Sequence, residues 1–304
     1  MRMKVKVLAL ATTSLALLTG CTSQPDSVAT ITSAKSIAID SPAPVMDVRV
    51  VALANGSAEI IASLGLKNLL VGRDIASTSA ELKDVPIATA GHQVVPEKIL
   101  ELKPDLLLID NTTGPATALD VIKSAGIKVV TIQEAWKLSE ITRKIQQVAA
   151  AVSAEGAAQA LESKMRTALA KSGSDHRGVR IAFLYLRGGS AIYLLGGEGS
   201  GADSLISHLG ATDVGAEKFQ QPFSPITSEA LITANPDVIL VMRKGLESVG
   251  GVNGLVELPG ISQTSAGKNR AVIAVDDSLI LSFGPRTPDL LEQLSAAITQ
   301  VMRA

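Results

Sequence analysis

A fourteen-residue pattern occurs twice in this chain and limits what it can fold into. Pro96-Glu97-Lys98-Ile99-Leu100-Glu101-Leu102-Lys103-Pro104-Asp105-Leu106-Leu107-Leu108-Ile109 aligns without gaps on Ser228-Glu229-Ala230-Leu231-Ile232-Thr233-Ala234-Asn235-Pro236-Asp237-Val238-Ile239-Leu240-Val241, 132 residues later. Each copy reads as a short helix with an acid in its first turn, a Pro-Asp break, then a continuous apolar strand of the buried, parallel kind. A weaker echo pairs Leu64-Gly65 with Leu209-Gly210. A period this long is not a solenoid; it implies two α/β lobes of one design.

The flanking sequence fills in both lobes. In the first, strands are predicted over Val48–Leu53, Leu69–Gly72, Ile87–Thr89, Leu106–Ile109 and Lys128–Ile132, with helices over Ala58–Leu64, from Pro96, and over Ala118–Ser124. A helix capped by Ser139 and a longer one over Ala154–Lys171 follow, with Ala158, Leu161, Met165 and Leu169 at helical spacing. The alternation resumes with Val179–Tyr185, Ile192–Leu195, Ala202–Leu209, Glu229–Thr233, Val238–Met242, Ala271–Val275 and a last helix over Pro288–Met302. The expected fold is α/β: two Rossmann-like lobes (46–137 and 174–304), joined through helices at 138–173 by a single long backbone helix, with a ligand cleft between them. A stiff connection of that kind favours rocking over a wide hinge.

The N-terminus reads as a targeting segment. Residues 1–20 run from a basic start through a short apolar stretch to Leu18-Thr19-Gly20, just before Cys21. Val7–Leu18 is too short to span a bilayer, so this is a signal peptide. Cys21 follows a lipobox-like end and is the lipidation candidate; it is the only cysteine, so no intrachain disulfide exists. Two acyl chains would anchor the protein on the outer face of the bacterial cytoplasmic membrane. Residues 21–45 read as lipidated cysteine plus flexible tether. A net charge of −1 and 2% aromatic content argue against nucleic acid. No Gly-x-Ser-x-Gly elbow or His-x-x-x-His pair points to an enzyme. Gly197-Glu198-Gly199-Ser200-Gly201 departs from a dinucleotide fingerprint at Ala202 and reads as a helix opening.

Two lobes, a linking helix, a lipobox and the Glu-x-Ile-x-x-Leu-x-Pro-Asp pattern resemble the helical-backbone class of ABC-transporter substrate-binding proteins, which carry siderophores, cobalamin and haem. Gly91-His92-Gln93, Tyr185-x-Arg187-Gly188, Gly197–Asp203 and Lys244-Gly245-Leu246-Glu247-Ser248 resemble the haem-binding lipoproteins within it, the HmuT-like kind. The resemblance implies haem as the transported ligand, gripped between the lobes by His92 and Tyr185. It also implies Glu97 and Glu229 as docking acids for an ABC permease, which works with its ATPase, and a monomer.

The chemistry suits that reading. Phenolate and imidazole are both good ligands for ferric iron. A phenol ionises near pH ~10, so it needs the metal and an adjacent cation to ligate at neutral pH. Arg187 has the same facing as Tyr185 along a strand and can reach the phenolate or a propionate. Tyr193, Met242 and Arg286 are further candidate haem or propionate contacts. Each has a plainer reading: Tyr185 as a core-edge tyrosine, His92 as a loop residue, Met242 as packing, Arg286 as a turn clamp, and Glu97 and Glu229 as first-turn acids favouring the helix dipole. Tyr193 could also replace Tyr185. His176 and His208 read as structural. A siderophore or a corrinoid is the alternative cargo on the same fold.

Overall fold

The computed structural model describes residues 27–40, 47–89, 93–188 and 192–303. The first strand, β1 (Val28–Ile31), does not start the first lobe. It pairs in parallel with a strand near the C-terminus. The N lobe follows, with β2 (Val50–Ala52), α1 (Ser57–Ser63), β3 (Leu70–Arg73), α2 (Pro96–Glu101), β4 (Leu106–Ile109), α3 (Ala116–Ser124) and β5 (Lys128–Thr131). Its sheet has the order β3-β2-β4-β5 and is parallel throughout. Along β2, Val50 and Ala52 face one apolar cluster and Val51 and Leu53 the other. Burial on both faces is why these strands are continuous apolar runs.

The chain then passes through α4 (Ile141–Ala151) and α5 (Glu155–Lys171) into the C lobe. There lie β6 (Arg180–Arg187), β7 (Ile192–Gly196), α6 (Ala202–His208), β8 (Thr212–Asp213), β9 (Phe223–Pro225), α7 (Ser228–Ala234), β10 (Val238–Met242), α8 (Arg243–Ser248), α9 (Gly251–Glu257), α10 (Ser265–Asn269), β11 (Val272–Val275), α11 (Asp277–Ser282) and α12 (Thr287–Arg303). The sheet order is β1-β11-β10-β6-β7-β9, with β8 alongside the start of β6. Strands β1, β11, β10 and β6 are parallel; β7 and β9 are added antiparallel at the far edge.

The repeat extends to individual hydrogen bonds. Asp105 and Asp237 each donate the backbone N–H to the carbonyl of an arginine at a strand's start, Arg49 or Arg180, and each takes that residue's N–H on its carboxylate, at 2.8 and 3.0 Å. The two arginines then donate back to the helix ends, Arg49 to Leu102 and Lys103, Arg180 to Ala234. Lys103 and Asn235, which precede the repeated prolines, both have positive φ, 47° and 41°. The Pro-Asp break is thus one helix-to-strand corner used twice.

Two expectations change. The tether expected over 21–45 is largely structured where it is described. Ala29 and Ile31 are buried in the core, and residues 32–40 run on as a strap. Ser33 accepts a bond from Gln293 of α12, the Lys35 N–H reaches Asp289, and Ile37 N–H reaches Pro285 O. Ile39 N–H then bonds Ser63 O in α1, across in the N lobe. Val28-Ala29-Thr30-Ile31 alternates as a strand should, but its position between Ser- and Thr-rich stretches hid it. The lobes are therefore joined by two passages rather than one: this strap and the α4–α5 pair, in which α4 packs on α1 and α5 on α12. One apolar cluster, with Ile60, Ile61 and Leu64 from one lobe and Phe183, Ile273 and Phe283 from the other, runs through both. Fully burying such side chains is worth about 1.5–3 kcal/mol each, so wide opening along this seam is disfavoured.

Candidate functional site

The loops beyond the C-terminal strand ends of the two sheets face one another. Asn55, after β2, donates to Leu281 O at 3.1 Å; Thr78, after β3, bonds Ser278 at 2.6 Å; Leu138, after β5, donates to Ser204 at 3.0 Å. Beneath these lies a buried polar junction. Arg286 grips Glu59 with two of its nitrogens, Nη2–Oε1 2.5 Å and Nε–Oε2 3.0 Å, and neither side chain is more than 3% exposed. Lys144 donates to Ser282 O at 2.5 Å. Burial pushes the Glu59 carboxyl up to about 7 and the Lys144 ammonium down to about 8.

Two parts of this rim do not touch. One is the C-terminal end of β6, with Tyr185 and Arg187. The other is the end of β4, with the Asp110–Gly114 loop and Gln93, which bridges Gly114. Among the described residues no hydrogen bond or ion pair joins them. This is the candidate cleft.

Tyr185 is half-buried. Its ring lies 5.3 Å from that of Phe223 at 57°, and the Arg187 guanidinium carbon sits 4.8 Å from its centroid. Among the described residues neither the Tyr185 hydroxyl nor the Arg187 guanidinium has a hydrogen-bond or ion-pair partner. The end of β6 is pinned by the Gly188 N–H, which donates to Ser248 Oγ at 2.9 Å. Only glycine fits there, since a Cβ would lie 2.0 Å from Ser248 O. Arg187 is thus held at the rim by the glycine that follows it, three residues beyond Tyr185 in the same motif.

His92 lies outside the described residues, as does Cys21. Three other expectations meet a different placement. Tyr193 pairs with Leu186, not with Tyr185, so it faces the opposite side of the sheet and packs in the C lobe's own core. Its hydroxyl has no partner, and burial pushes its pKa up, opposite to what a phenolate ligand needs. It cannot replace Tyr185. Met242 is 1% exposed, packed in the shared core. Arg286 is committed to Glu59, and the cavity it borders, about 740 Å³, also has Lys35, Thr78, Glu81 and Asp289 in its lining. The strand-end position of Met242 and the turn around Arg286 mark the lobe seam as readily as a ligand. Phe223 was missed: a lone aromatic between Pro222 and Pro225 gives no strand signal. Glu97 and Glu229 are exposed and free of ion pairs among the described residues. His176 bonds Ser295 at 2.9 Å and His208 bonds the Leu169 carbonyl at 3.1 Å, both structural.

A model of the periplasmic binding protein family matches residues 50–279. The chain belongs to this family. Among curated relatives it is 28% identical over 258 residues to YvrC of Bacillus subtilis (strain 168), an uncharacterised ABC transporter substrate-binding lipoprotein, covering 82% of this chain and 79% of that one. Among solved structures it is similar to the haem-binding protein HmuT, at 31% identity and a TM-score of 0.77, covering 89% of this chain and 97% of HmuT. HmuT has also been solved with alanine in place of a histidine, of a tyrosine, and of an arginine two residues beyond that tyrosine. The periplasmic haem-binding protein RhuT from Roseiflexus sp. RS-1, in apo form, matches at 32% identity with a TM-score of 0.77, covering 84% of this chain and 100% of RhuT. The mixed α/β, two-lobe architecture is that of the family.

Proposed function

We propose that this protein binds haem in the cleft between its lobes, with Tyr185 and His92 as axial ligands, and delivers it to an ABC importer for iron acquisition. The observation that carries the reading is the Tyr185 phenol at the rim, without a hydrogen-bond partner among the described residues, with the Arg187 guanidinium, likewise unpaired among them, over its ring. A phenolate oxygen is a hard donor that suits ferric iron, and a guanidinium beside it can meet a propionate. HmuT's tyrosine and arginine have the same spacing as Tyr185 and Arg187. Gln93, the residue after His92, stands on the opposite rim beside Gly114. Arg187, and the exposed Lys244 beyond β10, supply positive charge for propionates.

Cys21 carries the lipid anchor after signal-peptide removal, in keeping with a lipoprotein relative. Glu97 and Glu229 dock on the permease. They are repeat-related, exposed, and free to meet a roughly two-fold partner. The protein is a monomer that carries cargo and has no turnover of its own. Native mass spectrometry of the purified chain with hemin, a panel of ferric siderophores and a corrinoid tests the cargo. Retention of one of the others in preference to hemin would replace haem as the ligand.

A further inference from the structure

The placement of β1 sets where the chain leaves the fold toward its anchor. Strands β1, β11, β10 and β6 are parallel, and β6 carries Tyr185 and Arg187 near its C-terminal end. Ser27 therefore leaves the sheet at the end farthest from the cleft. Glu97 and Glu229 belong to helices that run back toward the strand starts, so both acids lie at the cleft end. By register Ser27 stands level with Ile181, so the sheet rises six residues, about 20 Å, from there to Arg187. From Cys21 to Ser27 there are six peptide steps, at most about 20 Å. Even fully stretched, a lead leaving the far end only matches that rise, with no length left to pass around the lobe and bring the cleft rim down to the membrane that holds its lipid.

We propose that β1 is a releasable part of the tether, peeling from β11 when the cleft turns toward the permease. The inference rests on the lipidation and docking reading given above. Release of β1 alone moves the exit point to Thr32, at the cleft end of the sheet. It also lengthens the lead to eleven steps, about 36 Å. The strand is built for this. It is an edge strand of four residues paired on one side only, and it buries only Ala29 and Ile31. The strap beyond it stays tied to α12 and α1 through Ser33, Lys35, Ile37 and Ile39, so the lobes remain strapped after release.

The test bolts β1 in place. Thr30 and Ala274 are register partners on parallel neighbours, and the double variant Thr30→Cys/Ala274→Cys adds the only thiols besides lipidated Cys21. Uptake of radio-iron-labelled hemin is measured in cells whose own copy has been replaced. The oxidised, anchored variant is expected to lose at least about tenfold in uptake, because a linker that cannot span its sites gives almost no effective concentration. Uptake should return on reduction. It should also return without reduction when about twelve Gly/Ser residues are inserted between Asp26 and Ser27. Wild-type uptake by the bolted variant without the insert overturns the proposal, as does a loss the insert does not rescue. If wild-type cells take up no more hemin than cells lacking the protein, the delivery reading itself falls and the release falls with it. A Soret band of purified bolted protein with hemin checks its fold. Should that pair misfold, Val28→Cys/Val272→Cys places the bolt two residues earlier, and the same outcomes decide.

Discussion

Replacing Arg286 by Met removes one partner of an ion pair that holds the lobes together from below. Glu59 is fully buried, Arg286 is 3% exposed, and the guanidinium meets both carboxylate oxygens within 3.0 Å. Losing the cation leaves a buried acid with only Lys144 nearby, and breaking such a pair costs about 3–5 kcal/mol. For a chain of this size that lowers Tm by roughly 10 °C. The pH dependence follows from Glu59. With Arg286 present its folded pKa is already about 7, above the ordinary 4.5. A group whose folded pKa is raised favours the fold at low pH and loses that contribution as pH rises from about 4.5 through 7. In Arg286→Met the folded pKa climbs further, so the defect should be greatest near pH 8 and shrink toward pH 5. The double variant Glu59→Gln/Arg286→Met, which removes both charges of the pair and leaves Lys144 on the Ser282 carbonyl, should recover most of the loss. Urea and thermal unfolding of the parent, the single variants Arg286→Met and Glu59→Gln, and the double variant at both pH values measures this. A single-variant cost below about 1 kcal/mol, or simple additivity in the double, would refute the reasoning.

Three further outcomes follow from the same geometry. Phe223→Ala removes the ring against Tyr185, and hemin affinity should fall about two- to tenfold in a Soret titration, in line with ~0.5–1.5 kcal/mol for an aromatic pair. Arg187→Ala removes the unpaired cation at the rim, and hemin affinity should fall about tenfold or more in a Soret titration, in line with ~1.5–3 kcal/mol for a hydrogen bond to a charged propionate. Asp213→Asn should stabilise the protein at pH 8 by up to about 4 kcal/mol and much less near pH 4. Burial holds the Asp213 carboxyl near 7 against the ordinary 3.8, so wild-type stability falls as pH rises across that window. Thermal melts at the two pH values read it.

Much of the fold was legible because its physics is local. The repeat placed β4 and β10 to the residue, since each strand is bounded by the same Pro-Asp corner and buried on both faces. Tyr185 and Arg187 were legible because Gly188 ends the strand where only glycine fits. What escaped depends on distant partners. β1 is a strand only because β11 lies beside it, and four residues of modest propensity cannot announce a neighbour more than 240 positions away. β9 is held against β7 between prolines. Arg286 and Met242 were given to the ligand because sequence shows that a side chain stands at an element's end, not what meets it there. Tyr193 shows the same limit in another form. The side a tyrosine faces depends on strand register, and pairing with Leu186 rather than Tyr185 turns it away.

If a phenol on the C lobe and an imidazole on the N lobe hold one iron, as proposed, both must mark the haem spectrum. A hemin titration of the purified protein, repeated on Tyr185→Ala and on His92→Ala and followed through the Soret and visible bands, tests it most directly. The expected results are a saturable Soret band for the parent, loss of the phenolate-to-iron absorption in Tyr185→Ala, and a shifted spectrum in His92→Ala. A parent protein that leaves the hemin spectrum unchanged, or a Tyr185→Ala spectrum identical to the parent's, would contradict it.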